Sequence, residues 1–127
     1  MKMTPVNSAG APQSAGGYSQ AIEVTGAQRI LYVSGQIPET ADGTLPEDFI
    51  GQARVAWSNV IAQLASANMA VENLTKVTIF LASREFALPN REVRKEFLGA
   101  HRPALTVIIA GIFDEKWLLE IEAVAAA

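Results

Sequence analysis

The chain has 127 residues, half of them hydrophobic, which suits one domain (1–127) that buries roughly two-thirds of its unfolded surface. The absence of cysteine excludes disulfides and thiolate sites, and a single histidine, His101, leaves no histidine cluster for a transition metal, so we expect chemistry without a metal. The ten lysines and arginines are scattered and the net charge is -3, so we expect no binding to nucleic acid. No apolar stretch approaches the ~20 residues of a membrane span, and the N-terminus shows no signal pattern. We therefore expect a cytoplasmic protein that does not bind a membrane.

A loose leader precedes the first predicted strands. Residues 1–17 contain a small, polar run and no periodicity. The runs 21–25 and 29–34 are short and apolar or β-branched, and Gly26 lies in the three-residue gap between them. This pattern predicts a strand pair joined by a tight turn.

Two helices and three further strands follow along the chain. Apolar residues at helical spacing predict a helix from Phe49 to about Asn68, with Asp48 at its positive end. A second helix is expected over 90–98, between a proline and a glycine. The predicted strands are 74–81, 104–113 and 117–126.

This order of elements predicts an α+β fold with a mixed sheet of about five to six strands and two helices on one face. Two right-handed crossovers that proceed in the same direction place both helices on the same side. The runs 74–81 and 104–113 are apolar at both parities, which is typical of a sheet buried on both faces. We therefore expect copies of the same chain to cover the other face, the alternative being that loops and the leader fold over it.

Glu120 and Glu122 share one face of the last predicted strand, because strand side chains alternate. At a subunit interface a carboxylate loses water, which raises its pKa and suits it to proton transfer near neutral pH. The alternative for either residue is a structural ion pair across the interface.

Two other positions have a functional and a plainer interpretation. Ser34, Gly35 and Gln36 end a predicted strand, and small residues there let a ligand approach the backbone, whereas the alternative is a bulge or turn. His101 could act as a base, but it follows a helix stop, where a surface loop residue is the ordinary outcome.

Segments spread from Ala11 to Ala125 together form a specific set. They are GYSQA (17–21), VSGQIP (33–38), Gln52-Ala53, Asn59, KVTIFL (76–81), Asn90, Arg102-Pro103-Ala104 and EIEA (120–123). This set resembles the reactive intermediate deaminase (RidA/YjgF-like) family. The resemblance implies a chorismate-mutase-like fold, a homotrimer with clefts between subunits, and cofactor-free hydrolysis of reactive enamines and imines to ammonia and a 2-oxo acid.

The resemblance also implies a set of cleft residues. Glu120 matches the family residue that orients a water molecule or transfers a proton. The residues that match substrate-binding positions are Tyr18, Ser34, Gly35, Asn90 and Leu105.

Leu105 departs from the family pattern, because active deaminases have an arginine there that clamps the substrate carboxylate. Leucine cannot replace a bidentate guanidinium, so a carboxylate held at this position is disfavoured. Arg102 is the nearest other arginine, but the alternation of strand side chains directs it to the other face. Gly17 also replaces the proline that commonly precedes the tyrosine.

Two functions stay open. The first is an enamine or imine hydrolase whose small-molecule substrate is neutral or carries its charge elsewhere. The second is a non-catalytic module of the same fold that binds a small metabolite and serves as a sensor or regulatory partner.

Overall fold

A computed structural model describes all residues of the chain, 1–127. It contains six strands and two α-helices, which confirms the predicted α+β class. In chain order the elements are β1 (Lys2–Val6), β2 (Ala21–Thr25), β3 (Ile30–Gln36), α1 (Phe49–Ser66), β4 (Leu74–Leu81), α2 (Ala87–Leu98), β5 (Ala104–Ile109) and β6 (Leu119–Ala126).

Four strands form the central sheet, in the order β3-β6-β4-β5. β6 is antiparallel to both of its neighbours, and β5 is parallel to β4. β3 and β4 therefore run in the same direction, and α1 and α2 provide the two predicted crossovers. β1 and β2 form a separate antiparallel ribbon, and a single bridge between Ser19 and Ala104 joins the segment before β2 to β5.

The predicted pairing of the two early strands is wrong. β2 pairs with β1, whereas β3 pairs with β6. The backbone N–H groups of Gln28 and Arg29 both donate to the Ala127 carbonyl at 2.9 Å. These bonds place the start of β3 beside the end of β6. The prediction of a loose leader is also wrong for Lys2–Val6. Because β3 pairs with β6, the backbone groups of β2 need another partner, and Lys2–Val6 provides it as β1.

Both predicted helices are present, with small differences at their ends. α1 begins at Phe49 as predicted, and the Asp48 side chain caps it by accepting the Gly51 N–H at 3.1 Å. α2 begins three residues earlier than predicted, because Pro89 is tolerated in the first turn, where N–H groups have no partner within the helix. Neither helix has the length and apolar character that crossing a membrane requires.

The hydrophobic core lies between the two helices and one face of the central sheet. Trp57 and Leu64 of α1 and Val93 of α2 are fully buried against the inward residues of β4 and β6. We call the opposite surface of the sheet the open face. No helix covers it, and it exposes large apolar side chains: Ile30 is 51%, Tyr32 78% and Ile108 43% exposed.

Candidate functional site

The end of β3 lies against the start of β6 at Glu120. The register between these strands shifts between Val33 and Gln36, so Ser34 and Gly35 form a β-bulge, the plainer of the two interpretations of this segment. The bulge also has a steric consequence, since a Cβ at Gly35 would lie only 1.9 Å from Oε2 of Glu120. Glycine at this position therefore allows the carboxylate to rest on the backbone of β3.

Helix α1 fixes both strand ends that meet at this contact. The Asn59 amide donates to two carbonyls of the loop after β3, both at 2.9 Å. The buried Gln52 amide donates to the Lys116 carbonyl at 3.0 Å and accepts the Leu118 N–H at 2.8 Å, just before β6. Gln52 and Asn59, two members of the family set, are therefore positioning residues for the Glu120 region.

Glu120 projects from the open face, as predicted from strand parity. It lies opposite Phe80 of β4 and is half-buried, whereas Glu122 on the same face is exposed. The chain's one ion pair joins Arg54 to Glu96 at 2.8 Å. Neither Glu120 nor Glu122 is therefore held by a structural ion pair within one chain.

The other proposed substrate-binding residues lie on the helix side of the sheet. Asn90 is buried in α2, and its Oδ1 atom has no hydrogen-bond partner. Leu105 pairs with Val77, an inward residue of β4, and packs partly buried against the core. Tyr18 lies beside α2, and its ring centroid is 6.0 Å from the Arg94 guanidinium carbon.

The structure thus divides the six sequence-predicted site residues into two groups. Gly35 and Glu120 are in contact at the open face, near the carboxyl end of β4, and Ser34 lies next to Gly35 in the bulge. The second group, which lies on the helix side, consists of Tyr18, Asn90 and Leu105. One chain does not bring the two groups together.

His101 is not placed to act as a base. Its Nε2 atom lies 2.7 Å from the Leu74 carbonyl, so the ring N–H donates to the backbone. The ring is half-buried in the loop after α2, in keeping with the plainer interpretation of this residue. No three His, Asp or Glu side chains cluster in a way that could hold a metal ion.

Arg94 is a functional candidate that sequence reasoning missed. Its side chain is only 6% exposed. Burial lowers the pKa of the guanidinium, Arg91 lowers it further, and Tyr18 acts in the opposite direction. A signal was present in the sequence, since Arg94 is four residues from both Asn90 and Leu98 and therefore on the inward stripe of α2, where a charge is unusual.

Arg94 borders a cleft of about 320 Å³ between α2 and the loop before β2. Arg91, Lys95 and Arg102 line the same cleft, together with the glycine pair that precedes Tyr18. Four of the ten basic residues therefore gather in one place. The expectation that these residues are scattered is wrong here, because the turn after α2 brings Arg102 back to the helix.

The fold and the two residue groups define a small α+β domain with one uncovered sheet face and a glutamate set into that face. A family model described as Endoribonuclease L-PSP matches residues 8–127. The mitochondrial protein MMF1 of Saccharomyces cerevisiae is 36% identical over 125 residues, which cover 97% of this chain and 83% of MMF1. TdcF of Escherichia coli K12, which bears the name of a reactive intermediate deaminase, is 32% identical over 91% of this chain and 90% of its own. The chain belongs to this family, the reactive intermediate deaminase (RidA/YjgF-like) or L-PSP family.

Solved structures agree with this assignment. The Rid family protein YyfB of Yersinia pestis superposes with a TM-score of 0.87 over the full length of both chains, and its 22% identity supports the fold alone. Escherichia coli TdcF, crystallised with bound serine, gives a TM-score of 0.74 at 29% identity and covers 98% of both chains. The predicted fold is therefore confirmed.

Proposed function

We propose that this protein hydrolyses a reactive enamine or imine to a carbonyl compound and ammonia, without a cofactor, and that Glu120 manages the proton and the water. The observation that carries the proposal is the contact between Glu120 and Gly35. A carboxylate that lies on a backbone without a Cβ, half-buried and without an ion-pair partner, is held in place yet keeps its acceptor atoms free.

The chemistry requires one water and one proton shuttle. The Glu120 carboxylate takes a proton from water as the oxygen adds to the imine carbon, and the carboxylic acid passes this proton to the nitrogen, which gives a neutral carbinolamine, R₂C(OH)NH₂. The carboxylate then takes the hydroxyl proton and delivers it to the nitrogen as the C–N bond breaks, so R₂C=NH and H₂O become R₂C=O and NH₃. An enamine enters the same route after protonation on carbon converts it to the imine.

The site is proposed to be composite, with its two residue groups supplied by different chains of a homotrimer. In one chain the groups lie on opposite sides of the sheet, so a neighbour is needed to bring Tyr18 and Asn90 to Glu120. The unpartnered Asn90 Oδ1 supports this proposal, because a buried acceptor costs about 1–3 kcal/mol unless a ligand, water or neighbour satisfies it. The exposed Tyr32 and Ile108 make the open face suitable as an interface with another copy of the chain.

Leu105 restricts the substrate. Serine is bound in the crystal structure of TdcF, which favours a small, amino-acid-like ligand for this site as well. A leucine packed against the core cannot clamp a carboxylate, so the substrate is proposed to be neutral or to have its charge contacted by another residue.

The test is ammonia release from freshly generated imines, with and without a carboxylate. We expect release above the uncatalysed background by the wild type, its loss in Glu120→Ala, and its retention in Glu122→Ala. The Glu122 variant is a matched control because this residue lies on the same strand and face but is exposed. Equal release by the wild type and Glu120→Ala would contradict the proposed role.

A non-catalytic module that binds a small metabolite is the second candidate, and Leu105 in place of the family arginine favours it. The same assay separates the two functions. Absence of release from every imine, together with saturable metabolite binding in calorimetry, would establish the binding module instead.

A further inference from the structure

Helix α2 contains a largely buried arginine, Arg94, whose charge has no partner within the chain. Arg29 and Arg54 are the arginines whose side chains form hydrogen bonds, and Arg54 forms the one ion pair, so Arg94 has neither although it is only 6% exposed. Arginine does not deprotonate in proteins, and buried charges are normally paired. Arg94 therefore has no negative group within the chain to pair with.

The surroundings of Arg94 are also positive. Arg91, Lys95 and Arg102 line the same cleft, Glu92 is its one acidic residue, and none of these residues forms an ion pair. The chain as a whole carries a net charge of -3, so the positive potential is a local property of this cleft. A cleft of about 320 Å³ is large enough for a small metabolite.

Gly17 gives the guanidinium its access to the cleft. Its φ of +80° excludes proline, whose ring fixes φ near -65°, and is costly for other residues. A Cβ at this position would lie 3.2 Å from Nη2 of Arg94. Two departures from the family pattern, Gly17 and Leu105, are thus accompanied by a guanidinium that enters from α2.

We propose that this cleft binds the oxyanion of a small metabolite, a carboxylate or a phosphate group, and that Arg94 is the residue that contacts it. Leu105 stands on β5 where the family pattern has an arginine, so a positive charge is missing there. Arg94, next to Tyr18, would supply this charge from α2. The inference rests on the proposed function only in naming the bound anion as part of that site's substrate. A planar guanidinium can grip two oxygens of either group at once.

Calorimetry at low salt with three probes tests the proposal: pyruvate, inorganic phosphate and the uncharged pyruvamide. We expect one or both anions to bind the wild type, and pyruvamide not to bind. Arg94→Met should weaken anion binding by at least about tenfold, the effect of losing one charge-assisted hydrogen bond. Arg84→Met is the matched control, because it removes the same charge from an exposed arginine outside the cleft and should bind like the wild type.

Thermal unfolding without ligand provides the second measurement. Arg94→Met should raise the Tm, since it removes an unpaired buried charge and keeps the packing of the side-chain stem. A lower Tm together with unchanged anion binding would show that a neighbouring chain pairs with Arg94, and would overturn the proposal. Absence of anion binding by the wild type, or equal binding by Arg94→Met, would also overturn it.

The probes also separate the two anion sources and the two proposals. Binding of pyruvate alone assigns a carboxylate, and binding of phosphate alone assigns a phosphate group. Anion binding that depends on Arg94 in a protein that releases no ammonia would reject only the proposed hydrolysis. Glu120-dependent release without anion binding would reject only the role of Arg94.

Discussion

Gly35→Ala is the sharpest perturbation of the proposed catalytic group, because it moves Glu120 without changing it. The added Cβ would lie 1.9 Å from Oε2 of Glu120 and 2.8 Å from its Cδ, where ordinary contacts begin at 3.4 Å. The carboxylate must therefore move by about 1.5 Å, and a misplacement of ~1 Å can lower a rate about 100-fold. Gly35 does not have a positive φ, so alanine adds no backbone strain, and the free energy of unfolding should change by less than about 1 kcal/mol.

The assay for this variant is ammonia release beside thermal unfolding. We expect kcat to fall about 100-fold while the Tm stays near the wild-type value. Gly111→Ala is the matched control, because nothing lies within 4 Å of a Cβ at that position. In a Glu120→Ala background the Gly35 change should have no further effect, since both act through one carboxylate. Full activity in Gly35→Ala, or an additional loss in the double variant, would refute this role of the contact.

Three further predictions concern stability and assembly. Asp48→Ala removes the cap of α1 and should lower the free energy of unfolding by about 1 kcal/mol, measured by urea titration, whereas the adjacent, non-capping Glu47→Ala should not. Arg54 lowers the pKa of Glu96, so this pair stabilises the fold at pH values above 4.5, the ordinary pKa of a glutamate, and ceases to do so as the pH falls through the lowered pKa. The Tm difference between the wild type and Glu96→Gln should therefore vanish in acid, and also in high salt. Tyr32→Lys on the open face should reduce the mass seen in sedimentation from about three times 13.6 kDa towards that of one chain, and a wild type that sediments as a monomer would reject the covered face.

Elements with strong periodicity were predictable from sequence. β4 was predicted with its observed bounds, Leu74–Leu81, and α1 with its observed start, because each pattern is long and consistent with one period. Pairing between strands was less predictable. β6, from the far end of the chain, inserts between β3 and β4, and no local signal near Gly26 shows that β3 will prefer it to β2.

The candidate site shows the same limit. Glu120 and Glu122 could be assigned to one face from parity, yet the contact of Glu120 with Gly35 depends on a bulge whose position only the β3–β6 register defines. Arg94 could be placed on the inward stripe of α2, but its lack of a partner is a property of the whole fold. The separation of Tyr18 and Asn90 from Glu120 follows from the sheet order rather than from any sequence spacing.

Mixing two inactive variants measures most directly whether the cleft is shared between chains. Glu120→Ala and Tyr18→Ala are each expected to lose ammonia release as pure proteins. After unfolding, equal mixing and refolding, a composite cleft predicts that about a quarter of the sites receive Glu120 from one chain and Tyr18 from the next, with activity recovered in that proportion. If both residues acted within one chain, every site would keep one defect and the mixture would stay inactive, which would contradict the composite cleft.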